Sequence, residues 1–482
     1  MKVLFVTPEC APIAKTGGLG DVSAALPAAL RAMGLDARIL LPGYPSVIAA
    51  DPKAREIARF SLFPAAHEMR LLQSRLPSGV PLIVIDCPAL YARTAGLYQR
   101  EDGHEWEDNA LRFGVLSKVA ALLGSGESPI GWRADIVHCN DWQASLAPVY
   151  LAHAKPPHAA SVVTIHNLAF QGIYPMREAA ALALPPSSLG FEGLEYYGQL
   201  SFLKGGLMYA EAITTVSPTY ASEIQTEALG FGLDGVLRHR ASVLFGVRNG
   251  IDTALWNPAT DPHIPRNYSA ATLDAKLDNK RALKGRLHLA GDDGVPLLGI
   301  VSRLTHQKGI DVLAQAAHAI AALPAQLVAL GTGDREMIGA LQAVRSRHPD
   351  DFSVTIGFDE GLAHLVEAGA DVFLMPSRFE PCGMNQMYSQ RYGTLPLANA
   401  TGGLLDTIGD GETGFLIDQV TVPALIGGLK RATGVYREAA RWRQMQKNAM
   451  ARDFGWEGAA REYAAIYERV TATSSAPSRS GA

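Results

Sequence analysis

The chain has 482 residues, which is too long for one ordinary hydrophobic core and predicts two or three domains, of which we expect two. Hydrophobic residues make up 48% of the sequence and charged residues 19%, values that are typical of a soluble globular protein and exclude a disordered or fibrous chain. Forty-three Lys and Arg against 47 Asp and Glu leave a net charge of −4, so there is no global positive field to hold a polyanion such as DNA, and any phosphate binding must be local.

The first residues, MKVLFV, form an apolar stretch that is too short for a signal peptide and predicts a β-strand instead. No run approaches the roughly 18 to 20 apolar residues that cross a bilayer, so no membrane partner is expected. The four cysteines form neither CxxC pairs nor a zinc ligand set. They therefore predict reduced thiols in a cytoplasmic protein, without disulfides or structural zinc: Cys10, Cys87, Cys139 and Cys382.

Strands and helices alternate over the first half of the chain. The pattern predicts a strand at residues 2–7, a glycine-containing loop at 8–20 and an Ala/Leu-rich helix at 21–33, with Asp21 as a candidate N-cap. The alternation recurs in strand 135–139, helix 141–152 and strand 160–165. Strands that alternate with helices predict a parallel sheet with crossover helices.

A second alternating series begins near residue 296 and predicts a complete second α/β domain. Its predicted strands are 297–301, 325–330, 353–357, 371–376 and 395–398, with a helix at 310–322. The run NGID at 249–252 and a polar, proline-punctuated stretch to about residue 268 predict an interdomain linker. The Ser/Ala/Pro/Arg-rich residues 471–482 predict a disordered tail.

The loops that follow strands are the candidate binding loops, because open parallel sheets bind ligands at the carboxyl ends of their strands. Two such sheets facing each other would form a cleft. Residues 15–21 combine Lys15 with three glycines, which would let the backbone approach an anion or a sugar hydroxyl closely. A flexible surface loop or a dinucleotide site are the alternatives, although the glycine spacing is G-G-x-G and not G-x-G-x-x-G.

Two cations and a carboxylate follow strands of the second series. Arg303 and Lys308 together could neutralise a diphosphate, Arg through a fork of donors and Lys as a compact charge. The alternative is a pair of solvated surface residues. Glu380 could accept hydrogen bonds from sugar hydroxyls, or it is an ordinary acidic residue at a helix start.

Three further strand ends carry polar residues or glycines. One offers helix N–H groups that could hold a phosphate, or forms only a turn: Thr401, Gly402 and Gly403. His166 closes strand 160–165 and, as a lone histidine, is more often structural than catalytic. Asp141 could cap a helix, and Trp142 could either pack in the core or stack on a sugar ring. The chain contains no phosphate-loop, H-E-x-x-H or G-x-S-x-G motif, so kinase, metalloprotease and serine-hydrolase interpretations lose their main support.

Taken together, six sequence blocks resemble those of the bacterial glycogen synthases and plant starch synthases. They occur in family order and span nearly the whole chain: KTGGLGDV (15–22), TIHNLA (164–169), NGID (249–252), SRL with QKG (302–309), SRFEPCG (377–383) and TGGL (401–404). The resemblance implies a GT-B fold, with two Rossmann-like doubly wound parallel-sheet domains facing across a cleft. The implied domains are 1–252 and 253–455, and the helix at about 456–470 packs back on the first.

The resemblance also implies an activity, namely transfer of glucose from ADP-glucose to the non-reducing end of an α-1,4-glucan such as glycogen or a malto-oligosaccharide. The transfer would retain the α-configuration and use no metal and no cofactor. Retention could arise through a covalent glycosyl-enzyme or by attack on the face from which the leaving group departs, and we favour the second route because no family motif here supplies an obvious carboxylate nucleophile. Arg303 and Lys308 would stabilise the ADP leaving group by placing charge where charge develops. His166 would contact the glucose, with its backbone carbonyl near the anomeric carbon, and Glu380 would hold glucose hydroxyls.

The remaining residues carried over from the resemblance would bind substrate. Around the donor they are Lys15, Gly17 and Gly18 near phosphate and sugar, Asp21 near the glucose, Asn249 and Tyr98 completing the sugar site, and Thr401, Gly402 and Gly403 at the distal phosphate. Asp141 and Trp142 would lie on the acceptor side, and Cys382 would line the cleft without acting as a nucleophile.

Two positions bear on how closely the chain follows its family. Asn385 stands where Thr is commoner, whereas Tyr388, eight residues after Glu380, is usual for glycogen synthases but replaces a second Glu of many related transferases. Two other interpretations remain: another GT-B transferase that uses UDP-glucose or a small acceptor, and a catalytically silent glucan-binding protein.

Overall fold

The computed structural model describes residues 1–62 and 68–474, and the chain forms two compact units. The first unit comprises Met1–Gly250 and Trp456–Ala482, and the second comprises Ile251–Gly455. Each is an α/β unit built on a parallel sheet, which confirms the fold class predicted from the alternation of strands and helices.

The main sheet of the first unit has the strand order β12-β11-β7-β6-β1-β2-β5-β4-β3. It is parallel except at the edge, where β4 pairs antiparallel with β3 and β5. A small antiparallel sheet has the order β8-β10-β9. The strands are β1 Lys2–Val6, β2 Asp36–Pro42, β3 Arg55–Phe60, β4 Met69–Arg75, β5 Pro81–Asp86, β6 Ile136–Asn140, β7 Ala160–Ile165, β8 Ile173–Pro175, β9 Glu195–Tyr196, β10 Gln199–Ser201, β11 Ala212–Thr215 and β12 Leu244–Gly246.

The helices of the first unit pack around this sheet. They are α1 Gly18–Ala32, α2 Pro45–Ala50, α3 Pro88–Tyr91, α4 Asn109–Leu123, α5 Asp141–Ala144, α6 Leu146–Ala152, α7 Glu178–Ala181, α8 Phe202–Tyr209, α9 Pro218–Glu223 and α10 Asp234–His239. The central strands are buried on both faces, which is why β1, β6 and β7 are continuous apolar runs rather than alternating ones.

The sheet of the second unit is parallel throughout, with the order β15-β14-β13-β16-β17-β18. Its strands are β13 Leu297–Val301, β14 Gln326–Gly331, β15 Phe352–Ile356, β16 Val372–Met375, β17 Leu395–Asn399 and β18 Phe415–Ile417. Its helices are α11 Lys276–Arg286, α12 Ile310–Ala321, α13 Arg335–Arg347, α14 Glu360–Gly369, α15 Asn385–Arg391, α16 Gly402–Thr407, α17 Val422–Tyr436 and α18 Ala439–Met450. Helices lie on both faces of the sheet. Because its strands are parallel, the loops after β13, β16 and β17 all emerge at one edge of the sheet.

The final helix, α19 Trp456–Ser474, packs against α1 in the first unit. A buried hydrogen bond of 2.7 Å joins the Tyr467 hydroxyl on this helix to Nδ1 of His138 in β6. The helix runs four residues beyond the predicted end at residue 470, so a disordered tail from Thr471 begins too early. Residues 475–482 of that predicted tail lie outside the described residues.

Local structure departs from the sequence prediction in three places. Helix α1 begins at Gly18, within the glycine run rather than after it. The predicted helix 141–152 is divided into α5 and α6 at Ser145, whose hydroxyl donates to the Asp141 carbonyl at 2.8 Å. The antiparallel pair β3 and β4 was not expected in a parallel sheet. Across the described residues, we find no helix with both the length and the apolar character needed to cross a membrane.

Candidate functional site

The glycine loop of the first unit is organised by a buried carboxylate, Glu9, which the sequence analysis did not single out. Glu9 accepts hydrogen bonds from the Thr16 backbone N–H (2.7 Å), the Thr16 hydroxyl (2.7 Å) and the Gly17 backbone N–H (3.0 Å). The Tyr98 hydroxyl donates to the same carboxylate at 2.6 Å. The Gly17 N–H therefore donates within the protein, to Glu9, and is not directed outward to a ligand.

Tyr98, which is predicted to complete a sugar site, makes two hydrogen bonds within the first unit, and its role toward a sugar stays a prediction. Its hydroxyl is directed to Glu9, and its backbone carbonyl accepts from Asn109 Nδ2 at 3.0 Å. Burial, followed by the nearby charge of Glu9, raises the pKa of Tyr98 well above its usual value, so the hydroxyl remains a donor. Tyr98 thus holds the carboxylate that shapes the glycine loop.

Lys15 and Asp21 form an ion pair across the glycine loop, with 2.7 Å between Lys15 Nζ and Asp21 Oδ1. Both side chains are partly exposed. A Cβ on Gly17 would meet no atom within 4 Å, so the space beside the loop is open, whereas a Cβ on Gly20 would lie 2.9 Å from Lys15 Cγ. The loop therefore offers a partly exposed cation and an open glycine at the start of α1, together with Gly18, the first residue of that helix.

Asp141 and His166 meet at the carboxyl ends of β6 and β7. Asp141 has a left-handed backbone with φ of 55°, and its Oδ1 accepts from the backbone N–H groups of His166 (2.7 Å) and Asn167 (3.4 Å). Burial raises the pKa of Asp141 to about 7 despite these hydrogen bonds. The two residues thus form one hydrogen-bonded corner.

His166 is held as a neutral ring. Its Nε2 lies 2.9 Å from Asn140 Oδ1, and Asn140 Nδ2 donates to the Val6 carbonyl, so the histidine must supply the proton at Nε2. Removal of the ring from water lowers the pKa of His166 to about 3. At neutral pH the ring is therefore not a general acid.

The ring of Trp142 packs in the core, and its predicted position on the acceptor side of a binding site stays a prediction. Its ring packs edge-on against Phe113, with 5.0 Å between centroids, and lies near Tyr174 and Phe202. A Cβ on Gly172 would come within 2.4 Å of the indole, which shows that the other face is also covered. Little of this ring is left to stack on a sugar.

Asn249 is buried and lies next to Gly250, where the first segment of the first unit ends. Its Oδ1 is buried and has no hydrogen-bond partner among the described residues. A buried amide oxygen without a partner costs about 1 to 3 kcal/mol. Asn249 therefore remains a reasonable candidate for contacting a ligand.

In the second unit, Lys308 and Glu380 form a largely buried ion pair between Nζ and Oε2, and the Ser377 hydroxyl donates to the same carboxylate oxygen at 3.1 Å. Lys308 lies on a short 3₁₀ turn, His306–Lys308, between β13 and α12, and Glu380 lies between β16 and α15. The strand-end prediction brought these two residues together correctly. Arg303 lies nearby in sequence, is exposed, and makes no ion pair with any residue in the described ranges.

A second set of contacts fixes the two loops that carry this pair. The Arg378 guanidinium donates to both Asp311 carboxylate oxygens, at 2.8 and 2.7 Å, and to the His306 carbonyl. Hydrogen bonds from Arg378 hold the pKa of Asp311 below its usual value. Gly309 has φ of 70°, and a Cβ there would lie 2.0 Å from the Pro376 carbonyl oxygen. The loops touch backbone to backbone, which only glycine permits.

The predicted phosphate cradle at residues 401–403 is instead packed beneath the Glu380 loop. The Gly403 N–H donates to the Glu380 carbonyl at 3.1 Å, so it is not available to a phosphate. Gly402 has φ of 45°, and a Cβ there would lie 2.0 Å from that same carbonyl oxygen; on Gly403 it would lie 2.1 Å from the Cys382 carbonyl oxygen. Thr401 is buried. These residues position Glu380 by close backbone approach, and the expectation of outward-facing N–H groups is wrong for Gly403.

The two positions noted as family markers both have structural partners. Asn385 Nδ2 donates to the Val301 carbonyl at 2.5 Å, where β13 ends. Tyr388 is buried and stacks on Trp256 with 3.9 Å between ring centroids. Cys382 is buried. That Cys382 does not act as a nucleophile stays a prediction.

Comparison with known proteins identifies the family. Residues 2–239 match the family described as starch synthase catalytic domain, and residues 288–449 match glycosyl transferases group 1. The chain is 55% identical to the glycogen synthase of Aromatoleum aromaticum, over 99% of this chain and 98% of that protein. It is 52% identical to the glycogen synthase of Nitrosomonas eutropha, over 97% and 96% of the two chains. The chain belongs to the glycogen synthase family.

A solved structure supports the same assignment. The catalytic domain of starch synthase IV from Arabidopsis thaliana, bound to ADP and acarbose, is similar with a TM-score of 0.87 and 30% identity, over 98% of this chain and 99% of that one. As a member of the glycogen synthase family, the chain is a glycosyltransferase with the GT-B fold. The family and fold predicted from the six sequence blocks are thereby confirmed.

Within this glycogen synthase family member, each unit contributes its own set of candidate groups. The first unit gathers Lys15 with Asp21, and Asp141 with His166, and the second gathers Lys308 with Glu380. Sequence reasoning missed Glu9, Asp311 and Arg378, which hold the loops. For Arg378, the only available signal was its place beside Glu380 in the SRFEPCG block.

Proposed function

We propose that this glycosyltransferase lengthens an α-1,4-glucan by moving glucose from ADP-glucose to the non-reducing end of glycogen or a malto-oligosaccharide. The observation that carries the proposal is the strand-end group of the second unit, where exposed Arg303 and the Lys308–Glu380 pair occupy the loops that bind ligands in parallel sheets. The names of the relatives, and the ADP and acarbose bound to the plant starch synthase, support the choice of donor and acceptor.

The two cations would carry the charge of the leaving group. As the bond from the anomeric carbon to the diphosphate oxygen breaks, negative charge grows on ADP. Arg303 would offer several donors to it and Lys308 a compact charge. Glu380 would accept hydrogen bonds from glucose hydroxyls. In this proposal the fixed cations make a divalent ion unnecessary for the transfer.

The transfer would retain the α-configuration by attack on the face from which the leaving group departs. The acceptor hydroxyl oxygen forms the new bond to the anomeric carbon, and its proton passes to the departing diphosphate oxygen. His166, neutral at physiological pH, would act by hydrogen bonding and through its backbone carbonyl rather than by proton transfer. Asp141 would fix the backbone of that residue.

The proposal is tested with the full-length protein, ADP-glucose and glycogen in excess chelator. We expect ADP release matched by glucan extension, with the α-configuration of the new linkage verified by proton NMR. Faster turnover with UDP-glucose would overturn the donor assignment. Glucan binding without nucleotide release, by protein shown to be folded by circular dichroism, would instead favour a silent glucan-binding protein. We place the activity in the cytoplasm, as the scattered cysteines lead us to expect.

A further inference from the structure

Three potential metal ligands lie together in the second unit, and none of them belongs to the loops proposed to bind the donor. They are His263, Glu360 and His364, whose ligand atoms all lie within 4.8 Å of one another. Glu360 and His364 are four residues apart on α14, so they project from the same face of that helix. His263 comes from the segment that precedes α11.

The buried member of this cluster is fixed in the manner of a metal-binding histidine. His364 is fully buried, its Nδ1 lies 2.8 Å from Asp261 Oδ2, and its ring stacks on Trp256 with 3.9 Å between centroids and 8° between planes. Asp261 is itself buried. It accepts hydrogen bonds from the Tyr392 hydroxyl at 2.5 Å and from the backbone N–H of His263 at 2.8 Å. A carboxylate that accepts from one ring nitrogen orients the other toward a metal.

That other nitrogen, Nε2 of His364, is buried and has no hydrogen-bond partner among the described residues. Because Asp261 accepts the proton of Nδ1, Nε2 carries a lone pair. A buried acceptor that makes no hydrogen bond is unfavourable in a folded protein. A cation at this point would give Nε2 the partner that it lacks.

We propose that His263, Glu360 and His364 bind one zinc ion, with water completing the coordination. Two imidazoles and a carboxylate are a ligand set that zinc accepts, and the cluster has no thiolate that would favour a softer metal. Tetrahedral zinc bonds of about 2.0 to 2.1 Å place ligand atoms about 3.3 Å apart. The exposed side chains of His263 and Glu360 would therefore need to move by at most about 1.5 Å toward the fixed His364.

The consequence is a clamp within the second unit. Zinc would tie the segment around Asp261 and His263 to the first turns of α14. The site is separate from the proposed chemistry, because none of its ligands is a residue to which we assign a role in glucose transfer. The inference does not rest on the proposed function, and a negative glucosyltransferase assay leaves it unaffected.

The test is a zinc titration of the full-length protein after chelator treatment and desalting, followed by isothermal titration calorimetry and by metal analysis of the dialysed complex. We expect one zinc per chain. His263→Ala and Glu360→Gln remove exposed ligands and should each weaken binding by about 100-fold or more. Asp261→Asn should weaken it by about 10- to 100-fold, as is typical for the residue behind a ligating histidine. His318→Ala, which removes an exposed histidine of the same unit, is the matched control and should bind zinc like the wild type.

Two further measurements guard against a folding artefact. Zinc should raise the midpoint of thermal unfolding of the wild type but not that of His263→Ala. Circular dichroism should show that His263→Ala and Glu360→Gln are both folded. Cobalt should give a visible d–d spectrum in the wild type that both ligand variants lose. Absence of stoichiometric zinc at micromolar concentrations would overturn the proposal, as would equal affinity in the wild type and the two ligand variants.

Discussion

Replacing Asp141 by Asn is expected to make the protein more stable above neutral pH. The carboxylate is shielded from water at the corner between β6 and β7, and burial raises its pKa from 3.8 to about 7. Between these two values the folded state holds a proton that the unfolded chain has released. Folding therefore loses stability as the pH rises from about 4 to 7, and the loss is complete above pH 7.

The size of the effect follows from the same values. At 1.36 kcal/mol per pH unit, a pKa raised from 3.8 to about 7 corresponds to about 4 kcal/mol, an upper limit that relaxation of the site will reduce. Asn is nearly the same shape, its Oδ1 still accepts from the His166 N–H, and it tolerates the left-handed backbone at φ 55°. The substitution thus removes the charge and little else.

The assay is urea unfolding of wild type and Asp141→Asn at pH 4.5, 6, 7 and 8.5. The variant's advantage in free energy of unfolding should be small at pH 4.5, grow to pH 7 and then level off. Asp135→Asn removes an exposed carboxylate just before the same strand and should show no such growth. A variant that is less stable than wild type at pH 8.5, or a difference that is flat with pH, would refute the account of Asp141.

Two further predictions concern the second unit. Lys308→Met and Glu380→Gln each leave a largely buried charge unpaired, so each should lower the free energy of unfolding by an amount near the low end of the ~3–5 kcal/mol typical of broken buried pairs. Each should also lower turnover by about 10²- to 10³-fold. The double variant should regain stability in urea unfolding but not turnover, and recovery of turnover would contradict the proposed roles. Gly402→Ala would place a Cβ 2.0 Å from the Glu380 carbonyl oxygen and should lower turnover about 100-fold. The control is Gly411→Ala, which has φ of 74° and open space around the new Cβ, and which should lose only about 1–2 kcal/mol of stability. Equal turnover in the two glycine variants would separate Gly402 from the positioning of Glu380.

Sequence patterns predicted where the strands before the candidate loops end, because strand ends are set by local periodicity. The apolar runs before Arg303, Glu380 and His166 mark buried parallel strands, and parallel strands end at one edge of their sheet. The pairing of Lys308 with Glu380 follows from the adjacency of β13 and β16. Such adjacency is a property of topology, which strand-helix alternation already restricts.

The same patterns could not decide which partner a residue meets. A glycine run permits close approach by a ligand or by another backbone, and Gly402 and Gly403 turned out to serve the second. From the sequence, Trp142 could stack on a sugar, but in the structure Gly172, thirty residues later in the chain, packs against its ring. Glu9 had no motif at all, because its partners Gly17 and Tyr98 are 8 and 89 residues away.

The state of the Lys308–Glu380 pair has a consequence for how a donor would bind. Glu380 neutralises Lys308 through their ion pair, and Arg303 is an exposed cation on the same loops. A nucleoside diphosphate carries more negative charge than Arg303 alone can balance, so it would draw on Lys308 as well. As Lys308 turns toward phosphate, Glu380 loses part of its partner and becomes a better acceptor for glucose hydroxyls. Under the proposed function, the loops would therefore couple diphosphate binding to sugar binding through one shared charge, while the contacts of Arg378 and Gly402 keep the backbone beneath that charge in place.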